Sequence, residues 1–159
     1  MVFLAVTTAF LVAVTFGLAL AHALEFPGKA RLDESTYRAV QAIYYPGFTV
    51  GGLVGEFGAL VSLPVLLLLT PAGTTHFWWT AAALGFLLAA HLTYWFFTHP
   101  VNSAWLKDTN LSDVGGLFFS AFTRDESNWR HMRNLWEFSH IVRAVLVAMS
   151  LVSITVALV

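Results

Sequence analysis

Glu137, His140 and Arg143 stand three residues apart in the stretch WEFSHIVR, Trp136–Arg143. On a helix this spacing sets a carboxylate, an imidazole and a guanidinium along one stripe. The 16 residues that follow, Ala144–Val159, carry no charge. Such a stripe at the mouth of an apolar helix is costly in lipid unless its groups face protein or water. Three other apolar stretches offer partners of the same kind: His22 with Glu25, then Glu56, then His91.

Three chemistries fit this set. The first is a metal centre built from His22, Glu25, Glu56, His91, Glu137 and His140. Soluble di-iron bundles take a Glu from each of two helices and a Glu-x-x-His from each of the other two. Here Glu137 and His140 keep that order, His22 and Glu25 reverse it, and His91 stands in place of a Glu. A mixed imidazole and carboxylate set suits iron, copper or manganese, as one ion or two, better than a thiolate-preferring ion.

The second chemistry needs no metal. His140, His91 and Glu137 would move protons on a lipophilic substrate, and Arg143 would hold a developing oxyanion. Tyr44, Tyr45, Tyr94, Trp95 and Trp136 would supply an aromatic wall for a flat, apolar guest. The third is haem, with two of His22, His91 and His140 as axial ligands. The plain alternative is structural: Glu56 and Arg143 neutralise each other and fix helix register, and the aromatic residues anchor at the interface. That alternative serves each residue singly better than all six together, because every ionisable group inside a membrane carries a cost. His76 stands apart on the far side. His99 and His131 read as solvated, and the Trp78-Trp79 pair as an interfacial anchor.

The elements that must position these groups follow from composition. The chain has 159 residues, of which 58% are hydrophobic and 11% charged. Soluble domains carry about 25% charged residues, so the chain belongs in a bilayer. A net charge of −1 gives no footprint for nucleic acid. With no cysteine, disulfides and thiolate ligands are excluded.

Four runs are long enough to span, each near the roughly 20 residues required. They are Val2–Leu24, Phe48–Leu69, Phe77–Thr98 and Glu137–Val159. Ala21-His22-Ala23 imitates a signal-peptide cleavage site, but no positive residue precedes the first run. Gly51, Gly52, Gly55 and Gly58 would let a neighbouring helix approach the second run. Pro64 would kink that run and Pro100 would end the third. Asp33–Tyr45 reads as a short interfacial helix capped by Asp33 or Ser35. Asp125–Leu135 reads as helix leading into the fourth span, and Gly115-Gly116 and Phe118–Phe119 belong to the connection before it. The Thr70–Thr75 turn joins the second and third spans. The expected fold is therefore all-α, a single-domain membrane four-helix up-down bundle with short interfacial helices in its charged loops.

All eight Lys and Arg residues fall in Glu25–Gly47 or His99–Arg143. The positive-inside rule then places both charged loops in the cytoplasm and both termini outside, in a bacterial inner membrane. The first and third helices end at the charged side, and the second and fourth begin there. Glu56 lies about 12 Å inside and His91 about 10 Å inside, at 1.5 Å per residue. All four helices thus offer His or Glu to one depth.

Several short motifs resemble the DUF1772, or anthrone-oxygenase-like, membrane proteins. They are AHALE ending the first span, IYYPGF before the second, HLTYWFFTHPVN ending the third and WEFSHIVR opening the fourth. The best match is Trp-x-x-x-His-x-x-Arg at Trp136, His140 and Arg143. Members with a known role oxidise anthrones to anthraquinones in polyketide pathways. The resemblance implies an oxygenase-like activity on a flat, apolar, phenolic substrate, with His140 and Arg143 as its carriers.

The expected function is thus a membrane oxidoreductase, an oxygenase on an anthrone- or quinol-like molecule. The alternative is a non-enzymatic subunit that binds haem or quinone in an electron-transfer complex. A third class is a transporter or structural bundle. Expected partners are the lipid bilayer, a small lipophilic substrate, and a second copy or another membrane subunit.

Overall fold

The computed structural model describes residues 1–106 and 128–159. The chain is all-α, and the described residues contain no strand. Four helices are long and apolar enough to cross a membrane: Val2–Lys29, Gly47–Leu69, Thr75–Leu106 and Trp129–Ala157. Each packs on its neighbours in sequence, and the fourth closes the ring against the first. This is an up-down four-helix bundle, and its lipid-exposed apolar surface makes it an integral membrane protein.

The half of the bundle away from the charged loops is an apolar core. Val12, Leu63, Leu87, Val147 and Ile154, from all four helices, are fully buried there. The buried hydroxyls among them are satisfied by backbone. Thr8 and Thr80 donate to carbonyls one turn back, those of Leu4 and His76, and Ser150 donates across to the Ala83 carbonyl at 2.7 Å. Side-chain to backbone bonds of this kind let a hydroxyl sit in an apolar layer without an orphaned donor. Three of the four glycines of the second span do what their spacing predicts, and Gly52 faces open space instead. Gly51, Gly55 and Gly58 face Leu18, Val14 with Thr15, and Leu11 of the first helix, and a Cβ on Gly55 would lie 2.9 Å from Val14 and 3.1 Å from the Thr15 backbone nitrogen.

The helices overrun several expected ends. The first continues from Leu24 through Pro27 to Lys29, because Lys29 is buried at 5% exposure and tied to the fourth helix through Glu137. Tertiary pairing extends a helix that local signals would stop. Pro100 does not end the third span. A π-helical turn, Tyr94–Thr98, precedes it, and α-helix resumes over His99–Leu106. The widened turn shifts the hydrogen-bond register just before a residue that has no N–H to give.

A second π turn, Leu53–Phe57, interrupts the second span, and α-helix then runs through Pro64 to Leu69. The fourth helix begins at Trp129, earlier than Glu137, with the Asn128 side chain accepting from the His131 N–H at 3.1 Å. Asp33 caps the short helix Glu34–Gln41 by accepting from the Thr36 N–H at 2.9 Å. Gly115-Gly116, Phe118–Phe119 and the start of the Asp125–Leu135 segment lie outside the described residues.

Two histidines depart from, or add to, their expected settings. His99 is fully buried rather than solvated. Its ring lies 4.7 Å from that of Trp95, and its Nδ1 is 3.2 Å from the Tyr94 hydroxyl. His76, on the far side, donates from Nδ1 to the Ala157 carbonyl at 3.0 Å and ties the third helix to the end of the fourth. His131 is exposed, as expected.

Candidate functional site

A cavity of about 560 Å³ lies inside the charged half of the bundle. Every spanning helix contributes to its wall: His22 from the first, Glu56 from the second, His91 from the third, His140 and Arg143 from the fourth. Tyr44 and Tyr45, just before the second span, line it together with Tyr94, Trp95 and Trp136. The expected aromatic wall and most of the expected ionisable set therefore face one chamber. The two π turns lie beside it and supply Leu53, Glu56 and Phe57 on one side and Tyr94 and Trp95 on the other. Widened turns of this kind recur at functional sites, since they turn side chains off the regular stripe.

Within the wall are two constellations. In the first, the Arg143 guanidinium pairs with one carboxylate oxygen of Glu56. The other oxygen of Glu56 is 2.9 Å from His91 Nδ1. The Trp95 indole donates to His91 Nε2 at 2.9 Å. An indole N–H can only donate, so Nε2 is an acceptor and Nδ1 carries the hydrogen given to Glu56. Both nitrogens of His91 are thereby engaged. The Tyr94 ring lies 5.1 Å from the Arg143 guanidinium, within cation–π range. This array joins the second, third and fourth helices.

The second constellation is a stack of rings. His22 and His140 lie 4.3 Å apart between centroids, Trp136 is 4.2 Å from His140, and Phe48 is 4.4 Å from His22. The Trp136 indole donates to the Asn102 side-chain oxygen at 2.7 Å, which fixes the plate against which His140 rests. Among the described residues neither ring nitrogen of His140 has a hydrogen-bond partner, and His22 Nδ1 also lacks one, with the Glu25 carboxylate 3.9 Å away. Buried polar atoms are almost always paired, and each exception calls for an explanation.

Glu25 and Glu137 are not among the cavity-lining residues. Glu137 is fully buried behind Trp136. One of its oxygens accepts from the Tyr37 hydroxyl at 2.7 Å and lies 3.2 Å from Lys29 Nζ. Lys29 Nζ is also 3.4 Å from Glu25 and lies over the Trp136 ring at 4.4 Å. The Tyr44 hydroxyl donates to Glu25. Burial, then the Glu137 charge, push the Tyr37 phenol up; burial, then the hydrogen bond to Glu25, push up that of Tyr44. Both stay protonated donors at neutral pH. The group clamps the short helix Glu34–Gln41 onto the bundle through Tyr37. Lys29 lies seven residues after His22 on the same helical face, a signal lost when the first helix is ended at Leu24.

The six expected metal ligands are thus divided three ways. Glu56 and His91 are bonded to Arg143 and Trp95, Glu25 and Glu137 to Lys29 and tyrosines, and His22 and His140 stack on each other. Among the described residues no three His, Asp or Glu are arranged to hold one ion. The expected haem pairs meet a similar obstacle. Centroids 4.3 Å apart leave no room for a porphyrin between His22 and His140, and both nitrogens of His91 are engaged. Asn102, Trp105 and Phe48 line the cavity and were not anticipated. Thr98, one turn beyond Tyr94 on the third helix, does not reach the cavity and is buried with its hydroxyl 2.8 Å from that of Ser139. No family model matches this chain, and no curated protein or solved structure matches it.

Proposed function

We propose that this chain is a membrane oxidoreductase, an oxygenase that receives a flat, lipophilic aromatic molecule of the anthrone or quinol type in the cavity. One observation carries the reading: His140 stands in the cavity wall with both ring nitrogens lacking a partner among the described residues. A buried imidazole without partners is a poor structural element and a suitable proton carrier. The aromatic lining suits a planar guest. The resemblance of WEFSHIVR to anthrone-oxygenase-like proteins points the same way.

In this proposal His140 takes a proton from the acidic CH₂ carbon of an anthrone. The carbanion's electron pair spreads onto the ring carbonyl oxygen. Arg143, half-neutralised by Glu56, biases that oxygen's position electrostatically. O₂ is the oxidant: the CH₂ carbon loses two hydrogens and gains one oxygen as a new carbonyl, and the other oxygen leaves as water. The charged loops face the cytoplasm and both termini lie outside, as the distribution of Lys and Arg supports.

The test is oxygen uptake by purified protein in lipid nanodiscs, with anthrone as the probe and the uncatalysed rate subtracted. His140→Ala should lower turnover about 100-fold or more, the scale of a lost general base, with helicity and melting unchanged. Unchanged turnover rejects the proposal. Saturable binding of the probe without turnover in the unmodified protein would point instead to a binding subunit of an electron-transfer complex.

A further inference from the structure

Leu53 and Phe57 have two properties that conflict in a closed bundle. Both line the cavity, yet they are 65% and 60% exposed. His22, Glu56 and His140 also stand in the wall and are only 6%, 8% and 4% exposed, so facing the chamber leaves little accessible area. The much larger exposure of Leu53 and Phe57 places them where the cavity meets the outside of the bundle.

The depth of that opening follows from position. Leu53 and Phe57 lie about 9 and 15 Å along the second spanning helix from Gly47, at 1.5 Å per residue. The hydrocarbon layer is about 30 Å thick, so the opening looks into acyl chains and not into water. Facing it across the chamber are Tyr94 and Trp95 of the third helix. The second and third helices pack closely along Gly58–Leu69 and Thr75–Thr93. Nearer the charged end, at the π turns, the Glu56–His91 hydrogen bond holds them together. At the charged end itself, Arg38 and Gln41 of the short helix line the cavity, and Tyr37 pins that helix through Glu137. The opening at Leu53 and Phe57 gives onto lipid.

We infer that the cavity is loaded sideways from the bilayer, through the gap between the second and third spanning helices, with Leu53 and Phe57 as its lip. Its ligand is a flat apolar molecule already dissolved in the membrane. This rests on the proposed use of the cavity for a lipophilic guest, and not on the oxidation step. The Glu56–His91 bond sets the inner limit of the gap.

The test uses the absence of native cysteine. Leu53→Cys, Phe57→Cys and, as control, Leu68→Cys each give one thiol; Leu68 is 85% exposed and does not line the cavity. Each variant is modified to completion with N-phenylmaleimide in detergent and reconstituted in phosphatidylcholine vesicles. Anthraquinone is then added, and the saturable quenching of tryptophan fluorescence is followed in time. Adducts at 53 and 57 should slow association several-fold, and the adduct at 68 should leave it unchanged. Equal association rates in all three adducts overturn the sideways route while leaving the cavity's use intact. No saturable quenching at all overturns both readings.

Discussion

The two constellations in the cavity wall have similar raw material and opposite states. Around Glu56 both carboxylate oxygens and both nitrogens of His91 are engaged, with Arg143 on one oxygen, His91 on the other and Trp95 on the far side of His91, and only the Arg143 Nε lacks a partner among the described residues. Around His140 the rings are packed but its nitrogens have no partner among the described residues. A paired array of buried charges fixes the relative placement of three helices. An open pair of imidazoles adds little to that placement and keeps its hydrogen-bonding capacity for a guest. The difference separates a set that builds the chamber, from which Arg143 still biases the guest's oxygen electrostatically, from the imidazoles that act in it, although both histidines, His91 and His140, lie at one depth.

The sharpest way to break this contrast is to remove Glu56. Glu56→Ala strands the Arg143 charge in a buried site, and breaking such a pair costs about 3–5 kcal/mol. Thermal melting in detergent should show a large loss of stability. A melting curve like that of the unmodified protein would mean that the array does not hold the helices. A smaller loss is expected for Glu137→Ala, about 1–3 kcal/mol from the stranded Tyr37 hydroxyl and the weakened hold on Lys29. Lys29 keeps Glu25 as a partner, which limits the damage. Proteolysis near residues 34–41 should rise in that variant as the short helix loosens; an unaltered cleavage pattern would dissociate Glu137 from the clamp. The mildest change is Trp95→Phe. It deletes one hydrogen bond to His91, worth about 0.5–1.5 kcal/mol, and should lower melting slightly while leaving turnover within a few-fold of the original. A collapse of turnover here would move His91 from the building set to the acting set.

Depth was legible in the sequence and direction was not. The four apolar runs, their alternation and the confinement of charge to two loops give the spans and the level of His22, Glu56, His91 and His140. The azimuth of each side chain depends on where helices start and where their winding changes. Residues three apart on an α-helix are offset by about 60°, so Glu137, His140 and Arg143 fan over about 120° and meet three different neighbourhoods. Glu137 turns to Lys29 and Tyr37, His140 to His22, and Arg143 to Glu56. The π turns at Leu53–Phe57 and Tyr94–Thr98 have no sequence signature of their own. They are set by packing, and they redirect Glu56, Tyr94 and Trp95. The clamp on Lys29 was missed because Pro27 and the polar residues around it resemble a loop, and only the distant Glu137 makes them helical.

The most direct measurement uses the histidine nitrogens themselves. Protein labelled with ¹⁵N-histidine in nanodiscs gives ring-nitrogen signals assigned by their loss in His140→Gln and His91→Gln. On addition of 1,8-dihydroxyanthraquinone, a phenolic planar probe, the His140 nitrogens should shift and those of His91 should stay in place. Signals from His140 that do not respond to a saturating probe, or a response confined to His91, would contradict the division of the wall into a holding array and an acting pair.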